Sequence, residues 1–373
     1  MTQDISAKTS GLEKPELTFK PILLRLNNAE DKQIYDSLIS KGAVSYFQDK
    51  LFDQLKELIK GRNPSVRLTE SEYEEHIKLH LNGQNLAEYG VWVYYPWSST
   101  LIHLLDEEEF FEVRTSRNRE KITREEQQVL RTKKIGIVGL SVGQSIALTL
   151  AMERTCGELR LADFDTLELS NLNRLRTGLQ NLGVRKTVIA AREISEIDPF
   201  INVKIYNEGL TNENMDSFFT EDGNLDLFIE VCDSLEVKVS SRFKARELNI
   251  PVVMDTNDRG MLDIERFDTE PGRSIFHGLI DEFIDDKGLV ALDQNKRFEL
   301  LKALDYFDSL SERMKLSMAQ INKTITSWPQ LASSVVLGGA ITTDISRRIL
   351  LGQHHVSGRY YVDLDQLINN NGF

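Results

Sequence analysis

The sequence predicts an α/β chain, a parallel-sheet nucleotide-binding domain behind a smaller α+β segment, on three observations. A short apolar run (Ile135, Ile137, Val138) meets a Gly139-Leu-Ser-Val-Gly143 turn. A helix-like stretch follows, then a second apolar run ending in Asp163-Phe164-Asp165. Further apolar runs alternate with helical segments to about residue 253. Strand, glycine-bearing turn, helix, strand and acid is the order of a nucleotide-binding βαβ unit.

The totals bound the rest. A chain of 373 residues leaves room for two domains, and 40% hydrophobic residues can bury a substantial core. A net charge of −13 argues against nucleic acid or an anionic membrane as partner. No stretch approaches the ~18 consecutive apolar residues of a membrane span, and residues 1–16 lack an apolar signal core. The expected location is the cytoplasm. The two cysteines, Cys156 and Cys232, form no C-x-x-C pair. His76 and His80 stand four apart on an expected helix without a second ligand pair, which favours surface or packing roles.

Residues 1–113 read as an accessory α+β domain. Residues 1–15 are polar and expected to be disordered or loosely attached; 18–26 is a strand-like run. Apolar positions Phe47, Leu51, Leu55 and Ile59 predict one helix over 44–59, broken by Arg62-Asn63-Pro64. A second helix is expected over 70–81, strands over 91–97 and 103–105, and a solvated acidic loop over 106–109. Trp92, Tyr94, Tyr95 and Trp97 suit either a peptide groove or, more commonly, a core.

Residues 114–133 read as a connector and an entry helix, with Thr123 as N-cap and Glu126 three positions on. Helices are expected over 186–197, 235–248, 309–321 and 331–351, and strands over 203–205, 225–231, 252–253 and 360–362. The near-continuous apolar run 225–231 suits the middle of a parallel sheet.

Chemistry concentrates at the carboxyl ends of these strands. Gly139 and Gly143 let backbone approach phosphates at a helix N-terminus, or serve only a tight turn. Asp163 stands about 20 residues past the turn, where a ribose-binding acid belongs. Asp165 suits a turn cap. Behind it come Ser170-Asn171-Leu172-Asn173-Arg174 and Gly183-Val184-Arg185-Lys186. Two cations so placed suit a triphosphate better than a dinucleotide, because a dinucleotide has no γ-phosphate to neutralise. Arg176 and Arg185 read as surface charges. Cys232, among apolar and acidic neighbours, is a poor thiol nucleophile.

A glycine turn, D-x-D, S-N-L-x-R, Gly-x-x-Lys and an aspartate after a later strand occur here in that order. This pattern, over roughly residues 114–352, resembles the ThiF/MoeB family, which includes the ubiquitin-activating and microcin-maturing adenylating enzymes. The resemblance implies a Rossmann-like ThiF-type adenylation domain over 114–373 behind the N-terminal α+β accessory domain. It implies ATP and Mg2+ as cofactors. Gly139, Ser141, Gly143, Asp163, Asn171, Arg174 and Lys186 would contact the nucleotide, with Asp163 on the ribose. Arg174, Lys186, Asp233 and Arg119 would be catalytic, and Asp233 would hold the metal. Arg119, preferred over Arg117, would reach the triphosphate, often across subunits, which makes a homodimer the expected active unit. Ser141 stands where the family usually has glycine, and Glu230 where it usually has aspartate. The zinc clip and the later relay cysteine of ubiquitin activation are missing from this sequence.

The implied reaction is adenylation of a carboxylate, on a peptide in natural-product biosynthesis or on a small carboxylate. The 1–113 segment stands where the microcin-maturing relatives carry a peptide clamp, and the chain also resembles the ThiF-type half of fusions with nitroreductase-like domains. Asp258 and Arg259, after the strand at 252–253, would handle substrate or merely hydrogen-bond their loop. The small residues Gly338, Gly339 and Ala340 suit a dimer interface or close helix packing. Two other functions stay open: an NAD-dependent oxidoreductase, for which the βαβ unit suffices, and a non-catalytic nucleotide-binding partner protein.

Overall fold

In the computed structural model, the structure describes residues 17–285, 288–290, 293–305 and 310–368. The expectations for residues 1–15 and for a helix start at Ser309 lie outside the described residues. The chain divides into two compact units: the residues up to Gln127 together with Asp198–Phe200, and the remainder. The first unit runs past residue 113 because the connector is tied into it. Thr115 Oγ1 donates to Phe111 O (2.8 Å), and Asn118 Nδ2 donates to Gln127 Oε1 (3.1 Å).

The first unit contains β1 (Ile22–Leu24), α1 (Ala29–Ser40), β2 (Tyr46–Asp49), α2 (Leu51–Arg62), α3 (Glu70–Leu81), β3 (Val91–Tyr95), β4 (Thr100–Leu104) and α4 (Glu107–Arg114). Its sheet has the order β1-β3-β4-β2, antiparallel except for β2 beside β4. All five residues of β3 are buried, so Trp92, Tyr94 and Tyr95 are core. Residues 44–59 are not one helix. Asp49 Oδ1 accepts from Leu51 N (3.2 Å) at a break between β2 and α2, and Phe47 packs on Trp92 at 4.9 Å. The helical spacing of Phe47 with Leu51 was coincidental. The acidic run is no loop either: Asp106 caps α4 through the Glu107 amide, and Glu107, Glu108 and Glu109 form its first turn, where the helix dipole favours negative charge. Helix α3 begins with a capping box between Thr69 and Glu72. His80 bonds Tyr89 and Glu109, a packing role.

Helix α5 (Arg124–Leu130) follows, capped by Thr123 and Glu126 as its sequence predicts. The second unit then alternates: β5 (Lys134–Val138), α6 (Leu140–Glu153), β6 (Glu158–Ala162), α7 (Lys186–Ile197), β7 (Asn202–Tyr206), α8 (Met215–Thr220), β8 (Leu227–Glu230), α9 (Leu235–Glu247) and β9 (Val252–Thr256). Strand β10 (Met261–Glu265) turns back antiparallel on β9, and then come β11 (Ile284–Asp285), β12 (Gly288–Leu289), α10 (Gln294–Asp305) and α11 (Glu312–Met318). Helix α12 (Ala332–Leu350), β13 (Gly358–Tyr361) and α13 (Leu364–Leu367) complete the described chain. The seven-stranded sheet has the order β13-β10-β9-β8-β5-β6-β7. Its five strands β5 to β9 are parallel, and β10 and β13 are antiparallel. The order reverses at β5, between β6 and β8, which places a ligand crevice beyond the carboxyl ends of these strands.

Candidate active site

The turn after β5 is shorter than the sequence suggests, because α6 begins at Leu140 and leaves Gly139 alone outside it. Gly139 has φ +89°, and a Cβ there would lie 2.5 Å from the Val231 carbonyl oxygen. Only glycine fits that pass between β5 and β8. Gly143 serves packing, with its Cα facing Ile137 at the sheet. Ser141 falls in the first turn of α6, where unpaired amides and the helix dipole attract anions.

Arg174 and Lys186 converge on Ser141. Arg174 Nη2 donates to Ser141 Oγ (3.1 Å), and Lys186 Nζ reaches the same oxygen at 3.5 Å. The sequence brings them there by two devices. The Ser170-Asn171-Leu172-Asn173 stretch forms a short 3-10 helix (Leu169–Asn173) that ends at Arg174, and α7 opens on Lys186 itself. Arg174 also donates to Asn173 Oδ1 (2.9 Å), while its buried Nε has no hydrogen-bond partner. Burial lowers the Arg174 guanidinium from its usual range, and the nearby Asp233 carboxylate opposes that shift. Lys186, 6% exposed, is paired with Asp165 (2.7 Å). The arrangement holds two cations and a helix N-terminus around one polar point, the charge pattern of a polyphosphate site.

Asp163 is buried at the end of β6. Its two oxygens accept from the amides of Leu140 (2.6 Å) and Asp165 (2.8 Å). Burial raises its carboxyl, and Lys186 and the two amides pull the other way. One lone pair on each oxygen remains for a ribose hydroxyl. Asn171 uses Oδ1 to accept the Glu168 amide (3.0 Å) and so shapes the turn that presents Arg174. Asp233 follows β8, is exposed, and is close enough to act on the charge of Arg174. An exposed carboxylate beside two cations' worth of phosphate charge suits Mg2+, which takes one or two protein carboxylates. Among the described residues no group of three or more His, Cys, Asp or Glu could hold a metal.

Other residues singled out in the sequence find partners within the described chain. Glu230 is fully buried and turned to α9, where it pairs with Lys238 (3.0 Å) and Arg242 (2.7 Å), away from any metal at Asp233. Asp258 accepts from the amide and hydroxyl of Ser311 (2.7 Å each), and Arg259 Nε donates to Asp363 (2.6 Å). These bonds tie the loop after β9 to distant parts of the second unit, and Asp258 also lines a small cavity with Asn257, Trp328 and Tyr361. Arg185, half-buried, donates to Phe164 O (2.7 Å) and Asn207 O (3.0 Å) and ties the exits of β6 and β7 together. Arg119 belongs to the first unit and bonds Gly61 O (3.1 Å) and Glu112 (3.4 Å). Burial and Glu230 push the Cys232 thiol far up, which makes it unreactive. Gly338 and Gly339 pack against Asp255 and Ser145 within the unit.

Residues 115–256 match the ThiF family. This stretch of the chain is a ThiF-family domain. A Mycobacterium tuberculosis protein, MT1398, is 40% identical over 351 residues, which covers 93% of this chain and 46% of that relative. Ubiquitin-like modifier-activating enzyme 5 of Drosophila mojavensis is 31% identical over 130 residues, 32% of this chain and 33% of that enzyme. The chain thus spans half or less of these curated relatives. The solved structure of E. coli MccB with ATP has a TM-score of 0.43 at 16% identity, covering 64% of this chain and 65% of that one. No helix among the described residues is long and apolar enough to cross a membrane.

Proposed function

We propose that this ThiF-family domain binds Mg-ATP and adenylates a substrate carboxylate. The observation that carries the reading is the convergence of Arg174 and Lys186 on the Ser141 hydroxyl at the start of α6. A carboxylate oxygen of the substrate attacks the α-phosphorus, forming the acyl C–O–P linkage, while the bond to the β-phosphate oxygen breaks and pyrophosphate leaves. Arg174 and Lys186 neutralise the phosphate charge that shifts onto pyrophosphate, and the α6 amides add fixed dipoles. Asp163 orients the ribose. Asp233 would hold magnesium, which when bound supplies charge neutralisation across the phosphates. A polypeptide carboxylate is the substrate class we propose. The 31% identity to an enzyme named for activating a ubiquitin-like modifier supports it, as does an α+β unit ahead of the nucleotide domain.

The test compares Mg-ATP, Mg-AMP and NAD by calorimetry and melting temperature. A ligand at a hundredfold its Kd adds ~2.7 kcal/mol. Mg-ATP should bind, Arg174→Ala and Lys186→Ala should abolish binding, and Asp233→Ala should keep the fold while losing pyrophosphate release with peptide carboxylates. NAD binding without ATP binding would replace this reading with an oxidoreductase.

A further inference from the structure

Arg174 reaches Ser141 only if residues 171–177 hold their path, and that path is fastened from behind. Gln144, 3% exposed on α6, accepts from the Arg176 amide through Oε1 (3.1 Å) and places Nε2 3.4 Å from the Arg176 carbonyl. The same Nε2 donates to Glu193 Oε2 on α7 at 2.6 Å. Thr177 adds a second side-chain hydrogen bond to Glu193. A carboxylate on α7 thus joins α6 to the backbone two residues beyond Arg174. Gln144 and Thr177 also line a small void with Leu140, Leu175, Lys186 and Ile189, so this fastening borders the second cation as well.

We propose that Glu193 is a positioning residue for the triphosphate: as a carboxylate it accepts from Gln144 and Thr177 and so fixes the reach of Arg174. The proposal rests on the adenylation reading of the same site. The groups facing Glu193 are Gln144 from α6 and Thr177 from the loop, neither titratable, and Glu196 from its own helix, the charged group acting on it. Burial and Glu196 push its carboxyl up to about 7, against the two hydrogen bonds. Protonation removes the negative charge and one accepting oxygen, which weakens the hold of Glu193 on Gln144, the side chain that carries the Arg176 backbone.

The experiment measures calorimetric Kd for Mg-ATP and Mg-AMP from pH 5.5 to 8.5 on the full chain and on Glu193→Gln. At each pH the wild type is divided by the variant, which cancels the titration of the nucleotide itself. The wild-type advantage for ATP should grow about tenfold as Glu193 ionises across neutrality. AMP, which lacks the phosphates that Arg174 serves, should show no such change. Equal losses for ATP and AMP, or an ATP ratio flat with pH, would overturn the positioning role. If Glu193→Gln fails to fold, Thr177→Val decides. Losing one donor should move the wild-type midpoint to higher pH, and an unmoved midpoint sinks the proposal. Wild type that binds no ATP at any pH would remove the adenylation reading itself, a separate outcome.

Discussion

Gly338 of α12 stands so close to Asp255 at the end of β9 that a Cβ on the glycine would lie 2.1 Å from a carboxylate oxygen. Asp255 is 4% exposed, and neither of its oxygens has a hydrogen-bond partner. Burial alone pushes its carboxyl up to about 7. Gly338 therefore lets α12 pack closely on a buried acid.

This pairing sets a pH dependence of stability. The unfolded chain releases the Asp255 proton near its ordinary 3.8, whereas the folded chain keeps it to about 7. Between those values the native state binds more protons, so this group makes stability fall as pH rises, and the loss is complete above about 7. Asp255→Asn should match wild type near pH 4 and exceed it at pH 8 by on the order of 4 kcal/mol, read from urea denaturation at each pH. A difference that does not change with pH would mean that Asp255 is ionised in the fold. Gly338→Ala should lower stability at every pH by ~1–3 kcal/mol, as overpacking does.

Ser141 holds two cations through one hydroxyl. Ser141→Ala leaves the helix start intact and removes that acceptor. Mg-ATP affinity should fall by about tenfold to a hundredfold, the worth of roughly one charge-assisted hydrogen bond. The melting temperature without nucleotide should stay within a few degrees of wild type. Tighter ATP binding by the variant would instead mean that the hydroxyl competes with phosphate.

Glu230, Arg242 and Glu265 form a chain of buried charge behind the site, with Arg242 Nη1 2.7 Å from Glu230 and Nε 2.6 Å from Glu265. Arg242 also stacks on the Phe276 ring at 3.8 Å. Lys238 and Arg242 hold the Glu230 carboxyl below its ordinary value despite full burial. Glu230→Ala should cost ~3–5 kcal/mol, because it strands buried cations. Magnesium dependence of ATP binding, measured by titrating the metal, should be unchanged, since this carboxylate faces α9 and not Asp233.

Local chemistry made much of this protein legible in its sequence. The period of apolar residues in 186–197 and the Thr123–Glu126 cap encode helices through contacts within a few residues; α7 follows its period to the end residue, and α5 starts behind its cap. Asp163, Arg174 and Lys186 could be named because a βαβ crossover delivers fixed offsets along the chain to one crevice. Tertiary structure alone decided the remainder. Nothing near Phe47 or Asp49 in sequence signals a strand, because β2 owes its form to pairing with β4, some fifty residues on. Strand β10 likewise exists by pairing with β9 and β13. The polar side chains divided the same way. That Glu230 met Arg242, that Asp258 met Ser311, and that Gln144 met Glu193 depended on which distant elements packed together. A side chain's charge is written in the sequence, but its partner, and hence its work, is chosen by the fold.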